Sequence, residues 1–271
     1  MDNRPIGFFD SGLGGLTSIP NIFKNLPYER VIYFGDTART PYGSKAVSTI
    51  KQYAFQIADF LVSKDVKMLV IACNTISATC LEDLRNRFPS IPIVGIIDQG
   101  AFAVAEKCNE ENSIGIIATK ATIASGDYKS KIKKLNDKLK VYEKATPAFV
   151  PLIEEGIIEN EIMDLTIRYY MDDFIRENKI DTLVFGCTHY PLIKDNIKKI
   201  YPELKIINPS KEILTPVTRL LEENDAFAAE YNDRENIFYA SDLSENFSNM
   251  IQKVLETERS DLILKFKNLE L

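Results

Sequence analysis

The chain of 271 residues has no tryptophan, a single histidine and only four cysteines. The cysteines form no Cys-x-x-Cys pair and do not cluster around the histidine. That spacing argues against a zinc site, and no metal is expected. No apolar run approaches the roughly 20 residues needed to cross a membrane. Met1-Asp2-Asn3-Arg4-Pro5 leads straight into a short apolar segment, without the long hydrophobic stretch of a secretory signal. A cytosolic protein is therefore expected, with its cysteines as free thiols. Such thiols are either packing or chemistry. Basic charge is also short: 33 Lys and Arg stand against 39 Asp and Glu, a net charge of -6. No nucleic-acid partner is expected from that balance. The one lysine cluster, Lys129, Lys131, Lys133, Lys134, Lys138 and Lys140, is interleaved with Ile132, Leu135 and Leu139 and reads as the wet face of a helix.

What the chain does have is a regular alternation. Short apolar runs recur between longer helical patterns: Ile6-Gly7-Phe8-Phe9, Val31-Ile32-Tyr33-Phe34, Met68-Leu69-Val70-Ile71, Ile93-Val94-Gly95-Ile96, Ile114-Gly115-Ile116-Ile117, Leu183-Val184-Phe185 and Ile206-Ile207. Continuous apolarity suits strands buried on both faces. That implies an α/β fold of mostly parallel sheets flanked by helices.

The alternation repeats. At a spacing of 114 residues, Asp59-Phe60-Leu61 matches Asp173-Phe174-Ile175, Leu69-Val70 matches Leu183-Val184, and Cys73 falls on Cys187. Two pseudo-symmetric lobes are expected, with a site between them. Residues 1–97 plus 213–271 would form the first and residues 98–212 the second. The final stretch, with a helix over Leu214 to Glu223, a strand at Ile237-Phe238-Tyr239-Ala240 and a last helix, would return to complete the first lobe.

Each of the two matched cysteines follows an apolar strand and precedes a helical pattern. Ligands of parallel sheets bind at the carboxyl ends of strands. A helix start there supplies free N–H groups and lowers a thiol pKa. Cys73-Asn74-Thr75 and Cys187-Thr188-His189 thus read as two proton-transferring thiols facing one small-molecule site. His189 reads as an acid–base assistant. Cys80 and Cys108 lack this context and read as packing. Asp10-Ser11-Gly12-Leu13-Gly14-Gly15 suggests a tight turn with N–H groups near a small anion. A dinucleotide fingerprint would need glycine where Thr17 stands. The polar loop from Gly35-Asp36 to Pro41-Tyr42-Gly43 could close over a substrate. Glu154 and Glu155, after Phe149-Val150-Pro151-Leu152-Ile153, are either helpers or solvated helix-start acids.

Together these segments resemble the glutamate racemase family of the cofactor-independent aspartate/glutamate racemase superfamily. The matching pieces are Phe9 to Thr17, Gly35-Asp36 with Pro41-Tyr42-Gly43, Ala72 to Thr75, Phe149 to Leu152 with Glu154, and Gly186 to Pro191. The resemblance implies interconversion of L- and D-glutamate without a cofactor, supply of D-glutamate to peptidoglycan, and a homodimer. It implies Cys73 and Cys187 as the two acid/bases, with Asp10, His189 and Glu154 assisting. Substrate would be held by Asp10, Ser11, Asp36, Pro41, Tyr42, Gly43, Asn74, Thr75, Thr119, Thr122, Thr188 and His189. In outline it also implies that Cys73 meets the D form. Asp98-Gln99-Gly100, Thr146 and Asn208-Pro209-Ser210-Lys211 depart from the family pattern. Three other readings stay open: a racemase or decarboxylase of another acidic substrate such as aspartate, a non-catalytic two-lobed amino-acid-binding protein, and a pyridoxal-phosphate racemase, for which no lysine stands out.

Overall fold

A computed structural model describes residues 1–229, 235–242 and 262–269. In chain order the elements are β1 (Ile6–Asp10), α1 (Ile19–Asn25), β2 (Val31–Gly35), α2 (Val47–Val62), β3 (Met68–Ile71), α3 (Asn74–Arg87), β4 (Ile93–Gly95), α4 (Ile96–Lys107), β5 (Ser113–Ala118), α5 (Lys120–Ser125), α6 (Asp127–Leu135), β6 (Lys140–Ala145), α7 (Phe149–Glu154), α8 (Glu161–Asn178), β7 (Thr182–Gly186), α9 (Lys194–Ile200), β8 (Lys205–Ile207), α10 (Leu214–Glu223), β9 (Asn236–Ala240) and β10 (Leu262–Phe266). They build two sheets, in the orders β10-β9-β2-β1-β3-β4 and β6-β5-β7-β8. Every pairing is parallel.

The order β2-β1-β3-β4 is repeated by β6-β5-β7-β8, and the registers agree. Phe9 pairs with Ile71 in one sheet, and Ile117 pairs with Phe185 in the other. The expected repeat is thus a repeat of topology. The continuous apolar runs serve two layers each. Ile6 and Phe8 of β1 and Ile114 and Ile116 of β5 enter one core shared by both sheets. Phe9 and Ile117 face two separate outer cores, packed by helices of their own sheet. Burial on both faces is what parallel sheets with crossover helices require.

In the returning segment β9 pairs with β2 of the first sheet. β10 was not anticipated and pairs beyond β9 at the edge. The expected final helix lies outside the described residues. Lys67, just before β3, pins the return. Its Nζ pairs with Glu29 at 2.7 Å, both side chains being 2% exposed, and donates to the carbonyls of Asp2 and Ala226.

Two further expectations change. The lysine-rich helix stops at Leu135, so Lys138 lies in the turn and Lys140 opens β6. β6 carries no continuous apolar run because it is an edge strand, and of its six residues only Val141 is buried. Among the described residues no helix is long and apolar enough to cross a membrane.

Candidate active site between the sheets

The register of each sheet sets out the same positions at its carboxyl edge. Ser11 and Thr119 follow β1 and β5; Cys73 and Cys187 stand just beyond β3 and β7. Both thiols line one cavity, together with Ser11, Thr40, Pro41, Tyr42, Gly43, Asn74, Thr75, Thr119, Val150, Thr188 and His189. The interior holds only about 10 Å³, which is at the limit for a single water molecule. The lobes are therefore shut on one another. Their approach is close enough to require glycine at two places. A Cβ on Gly43 would lie 2.3 Å from Thr119 Cβ, and one on Gly14 would lie 2.4 Å from Thr188 Oγ1.

The two thiols have unlike surroundings. Cys73 caps the start of α3 and donates to Ser11 Oγ at 3.3 Å. Burial, followed by the nearby Asp10 carboxylate, pushes its thiol well above the ordinary range. The expectation that a helix start would favour thiolate here is overturned, because desolvation outweighs the helix dipole. Cys187 precedes no α-helix directly. A 3-10 turn, Tyr190–Ile193, intervenes before α9. Its neighbour is instead His189, with Nδ1 at 3.8 Å from the sulfur. Nε2 of the same ring meets Glu154 Oε1 at 2.9 Å. Burial opposes the charge on His189, but its bonds to Cys187 and Glu154 prevail and raise its pKa to about 10. A negative charge on Cys187 would thus be met by an imidazolium, whereas Cys73 faces a carboxylate.

Glu154 ends α7 rather than starting a helix, and also accepts from Thr40 Oγ1 at 3.2 Å. Asp10 is fully buried behind the lining. Its oxygens accept from Gly12 N–H at 2.9 Å and Thr188 Oγ1 at 3.1 Å. The glycine turn therefore spends an amide on its own acid, which changes the expected anion cradle. Burial raises the Asp10 pKa in spite of the His189 charge and these donors. Asp36 is also fully buried and outside the lining. Arg39, Ser241 and the Tyr42 hydroxyl hold it, so it braces the loop and does not close over the cavity. Thr122 stands one layer back as well. Its hydroxyl is 3.0 Å from Thr119 Oγ1, and that of Thr119 is 2.9 Å from Thr75 Oγ1. Thr119 also caps α5 by accepting from Thr122 N–H. Thr40 and Val150 line the cavity unanticipated, although both fall in segments singled out above. Cys80 is buried and pushed up to about 12 by burial, which suits packing; Cys108 is half-buried.

Since His189 is the sole histidine, its ring protons give an unambiguous NMR titration. The midpoint is expected near pH 10 and falls toward neutrality in Glu154→Gln. A wild-type midpoint near 6.5 would contradict this geometry. Raising a histidine pKa stabilises the fold fully below its ordinary value. The His189 contribution is therefore complete below pH 6.5 and is lost as pH rises through about 10.

The sequence profile of the Asp/Glu/Hydantoin racemase family matches residues 21–215. A glutamate racemase from Geobacter metallireducens is 42% identical over 263 residues, covering 97% of this chain and 96% of its own. Among solved structures, glutamate racemase from Francisella tularensis in complex with D-glutamate superposes with a TM-score of 0.90 at 39% identity, over 100% of this chain and 99% of that one. A Bacillus anthracis glutamate racemase superposes with the same TM-score at 31% identity, over 99% of each chain. With the fold, the repeated strand order and the profile in agreement, the chain belongs to the Asp/Glu/Hydantoin racemase family.

Proposed function

We propose that this protein is an isomerase that interconverts L- and D-glutamate using Cys73 and Cys187 as two proton-transferring groups and no cofactor. The observation that carries the reading is that two thiols at equivalent strand ends of two repeated sheets line one cavity. Removing a weakly acidic α-proton and returning one to the opposite face needs a base and an acid on opposite sides. One base alone would tend to return the proton where it came from. Burial beside Asp10 favours a protonated Cys73, and a charged His189 stands beside Cys187. In the starting state of this reading Cys73 is the acid and Cys187 the base. In that state Cys187 takes a proton from one enantiomer while Cys73 delivers one to the other face. The reverse direction starts from the opposite arrangement. If Cys73 meets the D form, the starting state acts on L-glutamate.

Asn74, Thr75, Thr119 and Thr188 would hold the substrate, with Ser11 and the Pro41-Tyr42-Gly43 segment closing the other side. Asp10 and Glu154 would act through Thr188 and His189, and Asp36 and Thr122 through Tyr42 and Thr119. The boundaries at 97/98 and 212/213 belong to this reading. The first falls in the opening turn of α4, the second just ahead of α10. So does a homodimer, for which the exposed row Ile162, Leu165 and Tyr169 on α8 offers a surface.

The test is racemisation in deuterated water with each enantiomer of glutamate and of aspartate. Glutamate of either hand is expected to approach a racemic mixture with deuterium at Cα, while aspartate turns over at least about 100-fold more slowly. Faster turnover of aspartate would favour the alternative racemase. Binding of glutamate without deuterium uptake would favour a binding protein.

A further inference from the structure

Tyr128 comes from α6, just ahead of the lysine-rich segment, and nothing in its local sequence marks it as part of a site. Its ring is fully buried and its hydroxyl donates to Asn74 Oδ1 at 2.6 Å. Asn74 is itself 2% exposed, lines the cavity next to Cys73, and leaves its Nδ2 without a hydrogen-bond partner among the described residues. A buried amide N–H pair with no partner is costly, and its natural partner is an acceptor brought by a ligand.

The two ends of a carboxamide differ, and which end faces the cavity decides what the cavity can bind. With Oδ1 turned to the Tyr128 hydroxyl, Nδ2 is left to donate into the site. With the amide reversed, Oδ1 would present lone pairs to an incoming carboxylate and repel it. We propose that Tyr128 is a positioning residue that anchors one end of the Asn74 carboxamide, so that the other end, Nδ2, is held toward the cavity as a donor to a carboxylate oxygen of the substrate. This deepens the racemase reading above and rests on it.

The rest of α6 is built to keep that hydroxyl in place. Lys131, one turn from Tyr128, is bonded to Asp98 of α4, and Asp98 also meets Arg85 of α3 at 3.3 Å. One carboxylate thus joins α6 to the later half of α3, which a break at Cys80 separates from the turn carrying Asn74. Two residues from Asp98, Gly100 leaves room for the ring: a Cβ there would lie 2.8 Å from Tyr128 Cε1. Burial keeps the phenol protonated, its pKa standing well above the ordinary value, so no phenolate charge forms beside Asn74.

Tyr128→Phe removes the hydroxyl and keeps the ring. Steady-state racemisation should show KM for glutamate raised about tenfold, with kcat changed by less than about threefold. A purely structural tyrosine would instead lower kcat or the melting temperature and leave KM alone. Asn74→Asp keeps the Tyr128 bond and replaces the inward donor by an acceptor. It should raise KM by about 100-fold or more. If Tyr128→Phe fails to fold, Tyr128→His, which keeps a polar ring group toward Asn74, is expected to hold KM within about threefold of wild type, and a rise of about tenfold there would overturn the proposal. KM within about twofold of wild type for Tyr128→Phe or Asn74→Asp would also overturn it. Wild-type protein that does not racemise glutamate would instead overturn the functional reading, and needs no variant to be seen.

Discussion

Cys73→Ser and Cys187→Ser are each expected to lower glutamate racemisation by about 10²- to 10⁴-fold, the usual contribution of a positioned acid or base. A serine hydroxyl keeps the size of the thiol but is a far weaker acid, so it neither gives nor takes the proton at neutral pH. The residual activity is informative. Each variant retains one functional thiol, and that thiol can exchange the α-hydrogen of only the enantiomer that presents it. In deuterated water Cys187→Ser should label D-glutamate, and Cys73→Ser should label L-glutamate, both without inversion. Near-normal racemisation by either variant would remove the two-thiol mechanism. Labelling of the opposite hands would keep the mechanism and reverse the assignment of the faces.

Gly43→Ala should have the second-largest effect. The added carbon would meet Thr119 Cβ at 2.3 Å, a distance no side chain tolerates, and the neighbour is the stiff Cβ of a helix cap. The clash falls between the two halves of the site and not within either core. Each sheet keeps its packing, and the melting temperature should move little. The halves, however, cannot shut to the observed spacing. Displacement of about 1 Å between reacting groups costs about 10²-fold, so kcat/KM should fall by about that much. An alanine variant with wild-type kcat/KM would mean that the shut arrangement is not the one in which protons move. The cavity volume points the same way. A space of about 10 Å³ is too small for glutamate, so side chains or loops at the cavity must give way on binding.

Much of this architecture could be read from the sequence because its signals are local. A strand buried on both faces is apolar at every position, and seven such runs became strands close to their expected limits. β6 stayed hidden because Lys140, Glu143 and Lys144 interrupt its apolar residues. The offset of Cys73 and Cys187 was visible because β3 and β7 keep the same place in the two sheets. What local reasoning could not supply was competition between effects. Position at a helix start suggested an acidic Cys73, yet complete burial beside Asp10 has the larger influence. A polar loop suggested that Asp36 reaches a ligand, yet Arg39, Tyr42 and Ser241 claim its oxygens. Tyr128 lies 54 residues from Asn74 in the chain, and only the packing of one lobe on the other brings them together.

The repeated strand order also bears on how the two thiols come to differ. In a homodimer with a true two-fold axis through its active site, both thiols would have identical neighbours and therefore identical proton affinities at rest. Such an assembly could not hold one proton preferentially on a chosen side. A single chain carrying both halves is free of that restriction. Here Ser11 and Asp10 serve one thiol, and His189 and Glu154 serve the other. Continuity of the chain is thus what allows one proton to have a preferred resting place before any substrate arrives.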